Sequence, residues 1–242
     1  LLIAGDLFDG PWRDYRTGLY FVDRMRRLKD AAIQVYLILG NHDAENRFVS
    51  RLEHADNVRL FSHRKSETVR VDGLDTVIHG RSFPQRDVSE NIAQDYPPPV
   101  AGCFNIGLLH TACTGREGHA LYAPCTVEQL VNRGYDYWAL GHVHAREVLH
   151  EQPYVVYPGN IQGRNPRETG PKGATLVTVD DGRVVSLEER PLDVIRWSVE
   201  SIDVGACTDL PAVHAVVRER IERARDAATT GRGLALRLRL VG

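Results

Sequence analysis

The stretch "VYLILGNHD", residues 35–43, is an unbroken run of apolar residues that ends at a glycine followed by polar side chains. A strand covered on both faces has this pattern, because none of its positions faces water. The stretch "LLIAGD" at residues 1–6 repeats it. Between the two runs, apolar residues recur every three or four positions and predict one amphipathic helix. These residues are Tyr15, Leu19, Val22, Met25, Leu28 and Ala32. The order strand, helix, strand predicts an α/β fold.

The following residues continue this organisation as far as residue 190. A hairpin is predicted around Asp72-Gly73, because this dipeptide favours a tight turn between strands. A short helix is predicted to begin with a capping box of Thr126 and Gln129 and to end near Gly134. Further strands are predicted in the stretches 105–110, 135–142, 154–159 and 174–191, the last of them a strand pair around Asp181-Gly182.

The pattern changes after Pro191. The stretch 196–204 is typical of a strand, 211–228 of a helix with an apolar face, and 234–242 of a strand in which leucines alternate with arginines. We therefore predict two domains, one over residues 1–190 and the start of a small α+β domain over residues 191–242.

Composition excludes several classes of protein. The 242 residues are 43% hydrophobic and 26% charged, as in a soluble globular protein. No apolar run approaches the roughly 18 residues that a membrane helix needs, and the first residues lack the features of a signal peptide. The four cysteines show no CxxC pairing, which argues against a zinc ribbon or a disulfide framework. We expect a cytoplasmic protein without a membrane partner.

The formal net charge of −2 excludes a protein that attracts nucleic acid through its overall field. Two local basic stretches remain, at residues 25–29 and 162–172. The first is equally well explained as a solvated surface. In the second, Arg164, Arg167 and Lys172 are candidate phosphate contacts.

Polar residues follow four of the predicted strands, where the carboxyl ends of an open α/β sheet place ligand sites. They are Asp6, the triplet Asn41, His42 and Asp43, then His110, and finally His142 and His144. Residues two apart in an extended segment point to the same side, so His142 and His144 are expected to face one centre. Imidazoles, a carboxylate and an amide oxygen suit Mn, Fe or Zn rather than calcium or a thiolate-bound metal.

Each of these features alone has an ordinary explanation. A single buried histidine is usually a hydrogen-bonded core residue, and Gly-Asp after a strand is commonly a turn. Their repetition at successive strand ends favours a metal site. The remaining histidines are assigned to surface or structural roles: His54, His63, His79, His119, His150 and His214.

The motifs "GDLFD" (5–9), "GNHD" (40–43), His110 and "GHVH" (141–144) resemble, in that order, those of the calcineurin-like metallophosphoesterases. The stretches "GCFNIGLLHT" and "YPGNIQGRNPRETGPKG" are similar more narrowly to the bacterial SbcD-type DNA-repair exonucleases, in particular the YhaO-like branch. The resemblance covers about residues 1–190. It implies a β-sandwich flanked by helices, with the tail as the start of a small capping domain.

The resemblance also implies a role for each motif residue. Asp6 would bridge two divalent metal ions, most simply Mn, with Mg, Fe or Zn as alternatives. Asn41, His110 and His142 would bind one metal, and His144 would bind the other. His42 would protonate the leaving oxygen, and Asp43 would orient His42.

Two departures from the family pattern affect these roles. Family members begin with an Asp-x-His motif on a preceding strand, which is absent here, so we expect several tens of residues to precede Leu1. In the given residues one metal keeps only Asp6 and His144. Asp9 stands where archaeal and eukaryotic relatives have a histidine that contacts the substrate, so a structural or orienting role is expected for it.

Three functions are compatible with these motifs. The favoured one is a divalent-metal-dependent DNA nuclease acting in DNA repair, in which Arg164, Arg167 and Lys172 hold phosphates beside the metals. The alternatives are a phosphatase or small-molecule phosphodiesterase on the same two-metal core, and a non-catalytic scaffold, which the intact ligands disfavour. The resemblance further suggests DNA, a coiled-coil ATPase of the SbcC type and a second copy of the chain as partners.

Overall fold

The computed structural model describes residues 1–9, 14–46, 52–53, 55–113, 121–227 and 231–242. His54 and His119 lie outside these residues. The chain divides into two compact units, Leu1–Pro158 with Val179–Val185, and Gly159–Thr178 with Ser186–Gly242. The predicted boundary at residue 190 stays a proposal, since this division groups residues 159–178 with the tail. No helix among the described residues has the length and apolarity that crossing a bilayer requires.

The first unit begins with the predicted strand, helix and strand. Strands β1 (Leu2–Ala4), β2 (Val35–Ile38) and β3 (Val58–Leu60) form a parallel sheet in that order, and helix α1 (Arg16–Asp30) connects the first two. All four residues of β2 are buried, as its continuous apolar run predicts.

The buried face of α1 agrees with the predicted one only in part. Val22 and Met25 are buried as predicted, but Tyr15 and Leu19 are exposed, and the helix buries Gly18 and Phe21 in their place. The ring of Phe21 packs edge-on against Phe8 with ring centroids 5.8 Å apart. The bulky Phe21 therefore sets the rotation of the helix about its axis.

A second sheet of six strands has the order β4-β5-β6-β7-β9-β8. Its two outer pairs are antiparallel and its central pairs are parallel. Its strands are β4 (Glu67–Arg70), β5 (Thr76–Gly80), β6 (Phe104–His110), β7 (Tyr137–Gly141), β8 (Glu147–Glu151) and β9 (Tyr154–Tyr157). The short helices are α2 (Asn41–Glu45) and α3 (Val127–Val131), with a 3-10 turn at Ile92–Asp95. The capping box of Thr126 and Gln129 is present at α3 as predicted.

The two sheets meet at the carboxyl ends of their strands. Strand β1 packs against β6 and β7. The register of β6 and β7 pairs His110 with Gly141, and the carbonyl of Ala4 at the end of β1 accepts a hydrogen bond from His110 Nδ1 (2.8 Å). The two-sheet α/β architecture with flanking helices confirms the predicted fold class, and it gathers the ends of β1, β2, β6 and β7 in one place.

The second unit contains a βαβ arrangement. Strands β12 (Ile195–Asp203) and β13 (Gly233–Val241) pair in parallel, and helix α4 (Leu210–Ala227) connects them. Arg220 of α4 forms an ion pair with Glu200 of β12 at 3.5 Å. The predicted strand pair around Asp181-Gly182 is formed by β10 (Gly173–Asp180) and β11 (Arg183–Pro191), with positive φ at both turn residues.

Candidate metal centre

Side chains from three strand ends converge in the first unit. Ligand atoms of Asp6, His110 and His142 all lie within 4.8 Å of one another. Oδ1 of Asn41, the first residue of α2, is 2.9 Å from Nε2 of His110. The structure therefore brings together four of the five predicted metal ligands.

The glycines that precede these ligands allow the backbones to approach closely. A Cβ atom at Gly5 would lie 2.6 Å from His110 Nδ1. One at Gly40 would collide with Asp6 and His110, and one at Gly141 with the carbonyl of Ala4. The repeated Gly-Asp, Gly-Asn and Gly-His dipeptides thus have a steric cause, since no other residue type fits at these three positions.

The hydrogen bonding of His110 favours a metal cation in the cluster. Because the carbonyl of Ala4 can only accept, Nδ1 of His110 carries its hydrogen and donates it there. In the neutral imidazole, Nε2 then presents a lone pair to Oδ1 of Asn41 and, at 3.4 Å, to Oδ2 of Asp6. These facing acceptors are balanced either by a proton on Nε2 or by a metal cation between them, and a neutral imidazole held through its second nitrogen is the usual form of a histidine ligand.

Asp6 is held in its charged form. Burial would raise its pKa. A proton on Nε2 of His110 would donate a hydrogen bond to Asp6 and add a positive charge, and with this proton and the backbone N–H of His42 (3.0 Å from Oδ1) the pKa of Asp6 is lowered to about 2. The φ angle of Asp6 is 52°, a left-handed conformation that aspartate tolerates better than most residues. At neutral pH the cluster therefore contains an ionised carboxylate.

His142 and His144 do not share one centre as predicted. The φ angle of His142 is 98°, so the segment is not extended and the rule for alternate residues does not apply. His142 belongs to the cluster and His144 does not. The assignment of His144 to a separate metal stays a proposal.

Two carboxylates lie near His42, and their positions differ from the predicted ones. Asp9 Oδ1 is 3.9 Å from His42 Nδ1. Asp43 instead accepts hydrogen bonds from the backbone N–H groups of Leu7, Phe8 and Gly40, at 3.0–3.1 Å. Its carboxyl is almost completely buried, and burial raises its pKa to about 6 against the opposing effect of these three bonds. Asp43 therefore fixes the backbone that carries Asp6, and the carboxylate facing the imidazole is Asp9.

Two aromatic residues that border the cluster were not predicted. The Phe83 ring packs edge-on against His110 with centroids 5.1 Å apart, and the Tyr122 ring packs against His142 at 5.5 Å. Both residues lie in loops without periodicity. The sequence contains no local signal for their positions, because these contacts form only when the loops fold over the strand ends.

The predicted phosphate contacts lie in the second unit. Arg164 and Arg167 are exposed. Glu168 shapes this loop by accepting hydrogen bonds from Arg164 N (2.7 Å) and from Asn160 Nδ2 (3.2 Å). Lys172, however, is buried, and its carbonyl accepts hydrogen bonds from Leu192 N and Asp193 N. Its burial argues against the predicted role of Lys172 in holding phosphate.

The chain matches a known family model and is similar to proteins from three organisms. The family model described as calcineurin-like phosphoesterase matches residues 1–146. The chain is 38% identical to the uncharacterized metallophosphoesterase YhaO of Bacillus subtilis (strain 168), over 93% of this chain and 56% of that protein. It is 28% identical to the DNA double-strand break repair protein Mre11 of Methanopyrus kandleri over 83% of this chain. It is 23% identical to the protein of the same name from Sulfurisphaera tokodaii over 85% of this chain. It spans about half the length of each relative (56%, 49% and 55%).

Proposed function

Since the chain belongs to the calcineurin-like phosphoesterase family, we propose that it is a divalent-metal-dependent nuclease that hydrolyses phosphodiester bonds in DNA. The family consists of phosphoester hydrolases that bind divalent metals. The DNA substrate and the nuclease reaction are the proposed part. The observation that carries the proposal is the convergence of Asp6, Asn41, His110 and His142 on one cluster of metal-ligating atoms.

These residues fit a divalent metal, because they offer two imidazoles, one ionised carboxylate and one amide oxygen. When bound, such metals would act as Lewis acids that polarise the phosphate and activate the attacking water. We propose Mn²⁺ as the first metal to test. His144 is the candidate ligand for a second ion.

His42 is the proposed proton donor to the leaving oxygen. Its side chain is 35% exposed, so that a substrate can reach the imidazole. Its backbone N–H is bonded to Asp6, which ties the residue to the metal ligands. The carboxylate of Asp9, 3.9 Å from Nδ1 of His42, is placed to orient the imidazole for this proton transfer.

The choice of DNA as substrate rests on two observations. The Mre11 relatives are named for the repair of DNA double-strand breaks. The chain also carries two exposed arginines, Arg164 and Arg167, in one loop of its second unit, and we propose that they bind backbone phosphates. A coiled-coil ATPase of the SbcC type and a second copy of the chain are the proposed protein partners.

The proposed function is tested by incubating the protein with linear duplex DNA and Mn²⁺. We expect cleavage by the wild type and none by His42→Ala. Calorimetry should show that His42→Ala retains Mn²⁺ binding while Asp6→Ala loses it, because His42 donates a proton and Asp6 binds the metal. Equal loss of metal binding in both variants would contradict the role of His42.

A parallel assay with bis-p-nitrophenyl phosphate and p-nitrophenyl phosphate separates the nuclease from the alternative enzymes. Cleavage of these small esters without cleavage of DNA would reject the nuclease in favour of a phosphatase or small-molecule phosphodiesterase. A contaminating nuclease is excluded if the His42→Ala protein, purified identically, is inactive on DNA.

A further inference from the structure

Thr111, which directly follows the ligand His110, is a buried residue whose hydroxyl makes two hydrogen bonds to the backbone. Its Oγ1 donates a hydrogen bond to the carbonyl of Ala123 (2.7 Å) and accepts one from the backbone N–H of Cys113 (2.8 Å). The hydroxyl therefore connects the end of β6 to the segment 121–125, which precedes α3.

The two residues that bond to this hydroxyl both have a strained backbone. The φ angles of Cys113 and Ala123 are 50° and 42°. Residues with a side chain hold this left-handed conformation only when their surroundings stabilise it. The N–H of Ala123 donates to the carbonyl of Val88 (2.6 Å), and its carbonyl accepts from Thr111. The Thr111 hydroxyl is thus one of the contacts that keep the segment 121–125 in its conformation.

This segment carries Tyr122, which packs on a metal ligand. The carbonyl of Tyr122 accepts a hydrogen bond from the backbone N–H of Ala112 (2.9 Å). Its ring packs against the imidazole of His142 with the centroids 5.5 Å apart and an interplanar angle of 66°. The same imidazole lies 5.2 Å from that of His110. Because His142 also has a positive φ angle, its conformation depends on contacts of this kind.

We propose that Thr111 is a positioning residue that sets the metal affinity of the cluster, because its hydroxyl holds the segment 121–125 and thereby the Tyr122 ring against His142. It acts through this segment and not as a ligand. The proposal rests on the metal site of the proposed function and does not depend on DNA as substrate.

A buried threonine can instead have a purely structural role, and the two roles have different consequences. A structural hydroxyl contributes to the free energy of unfolding but leaves the Mn²⁺ affinity of the folded protein unchanged. A positioning hydroxyl changes that affinity, and a serine at the same position, which retains the hydroxyl, restores it.

The test is a calorimetric Mn²⁺ titration of the folded protein without substrate. We expect Thr111→Val, which keeps the shape of the side chain but removes the hydroxyl, to weaken Mn²⁺ binding by about 10-fold. This is the lower end of the roughly 10–100-fold range found for residues that orient metal ligands. Thr111→Ser should bind Mn²⁺ with wild-type affinity. Tyr122→Leu, which removes the ring, should weaken binding as Thr111→Val does.

A control and a double variant complete the titration. The buried Tyr135 precedes β7 at the end away from His142, and its hydroxyl donates to the carbonyl of Pro97 (2.6 Å). Tyr135→Phe should therefore leave Mn²⁺ affinity unchanged although it removes a hydrogen bond to the backbone. If Thr111 acts through Tyr122, Thr111→Val combined with Tyr122→Leu should bind no more weakly than Tyr122→Leu alone.

Hydrogen exchange of the metal-free protein tests the first step separately. Thr111→Val leaves the N–H of Ala112 and the carbonyl of Tyr122 chemically unchanged, so faster exchange of the Ala112 amide reports a loosened segment. We expect faster exchange in Thr111→Val and wild-type exchange in Thr111→Ser. An unchanged Ala112 amide in Thr111→Val would show that the hydroxyl does not hold the segment.

Wild-type Mn²⁺ affinity in either Thr111→Val or Tyr122→Leu overturns the proposal, and so does an equal loss in Thr111→Ser and Thr111→Val. If Thr111→Val does not fold, Tyr122→Leu decides, since weakened binding supports the proposal and wild-type binding overturns it. A wild-type protein that binds Mn²⁺ but does not cleave DNA refutes the proposed nuclease and leaves this test in force. A wild-type protein that binds no Mn²⁺ refutes the metal site and this proposal with it.

Discussion

The carboxylate of Asp9 lies 3.9 Å from Nδ1 of His42, whereas Asp43, the neighbour of His42 in the chain, directs its oxygens to backbone N–H groups of residues 7, 8 and 40. Two carboxylates near one imidazole therefore have different tasks. Asp9 lies beside the imidazole of His42, and Asp43 holds the loop that carries Asp6. Substitution of each by asparagine distinguishes the two tasks.

Asp9→Asn is expected to lower kcat by about 10-fold on DNA, whose alkoxide leaving group needs a proton, and by much less on a p-nitrophenyl ester, whose leaving group does not. The expected loss is a part of the roughly 10²–10⁴-fold that general acid catalysis contributes. Asp14→Asn, which changes an exposed carboxylate paired with Arg16, is the control. Equal losses of kcat on both substrates would show that Asp9 does not assist proton transfer.

Asp43→Asn is expected to reduce the free energy of unfolding by about 1–3 kcal/mol, because an amide NH₂ would face at least one of the three buried or partly buried N–H donors and leave it unpaired. Urea unfolding measures the change. Asp9→Asn, at a more exposed carboxylate, is the comparison and should lie close to wild type. A wild-type unfolding midpoint for Asp43→Asn would contradict the structural role of Asp43.

His142→Ala is expected to weaken Mn²⁺ binding more than 100-fold, since loss of a direct ligand should exceed the roughly 10–100-fold effect of outer residues. His144→Ala should weaken it far less, because His144 is not in the cluster formed by Asp6, His110 and His142. Calorimetry measures both affinities. Anomalous diffraction from a Mn²⁺-soaked crystal should show a peak beside Asn41 and His110, and a single peak on His144 instead would refute the assignment.

Replacing Arg164 and Arg167 together by glutamine should reduce the salt dependence of DNA binding. Two lost phosphate contacts correspond to a change of about 1.8 in the slope of log K against log salt concentration. Adding Lys172→Gln should change the slope little, because Lys172 is buried. The control is Arg237→Gln with Arg239→Gln, which removes two other exposed arginines of the same unit. An unchanged slope in the variant that lacks Arg164 and Arg167 would show that these arginines do not contact phosphates and that the loop has a structural role.

His79 is expected to make stability depend on pH. The side chain is buried between Thr68 and Asn105, and burial lowers its pKa below the ordinary value of 6.5. The unfolded chain therefore binds a proton more readily than the folded protein, so stability falls as the pH drops below about 6.5. His79→Gln should flatten this dependence by up to about 1.4 kcal/mol per pH unit, measured by urea unfolding between pH 5 and pH 7.5. Parallel pH curves for the two proteins would contradict the assignment.

The sequence predicts the strands and the ligands that follow them because both depend on local pattern. The apolar runs before Asp6 and Asn41 form strands of one sheet, and those before His110 and His142 form strands of the other. Contacts between segments distant in the chain are not predictable in this way. The pairing of His42 with Asp9 rather than Asp43 depends on the path of the backbone, and so does the position of Tyr122 on His142.

The exposure of Leu19 shows that the sequence also does not determine which face of a helix is buried. The spacing of apolar residues allows more than one apolar face on α1. Which face becomes buried depends on the side chains that pack against the helix in the folded protein. The conformation of His142 is a second case, since a positive φ angle at a histidine has no reliable sequence signal.

The distance in sequence between the proposed metal ligands has a consequence for the synthesis of the protein. Asn41 and His110 are 69 positions apart and still lie 2.9 Å from one another, and His142 follows only after β7. A growing chain on the ribosome therefore lacks part of the ligand set until β7 and the residues after it have emerged. Metal cannot nucleate folding here as it does in a zinc finger, where nearby ligands gather around the ion. The ligand set is therefore complete only when the ends of β1, β2, β6 and β7 have come together in the folded chain.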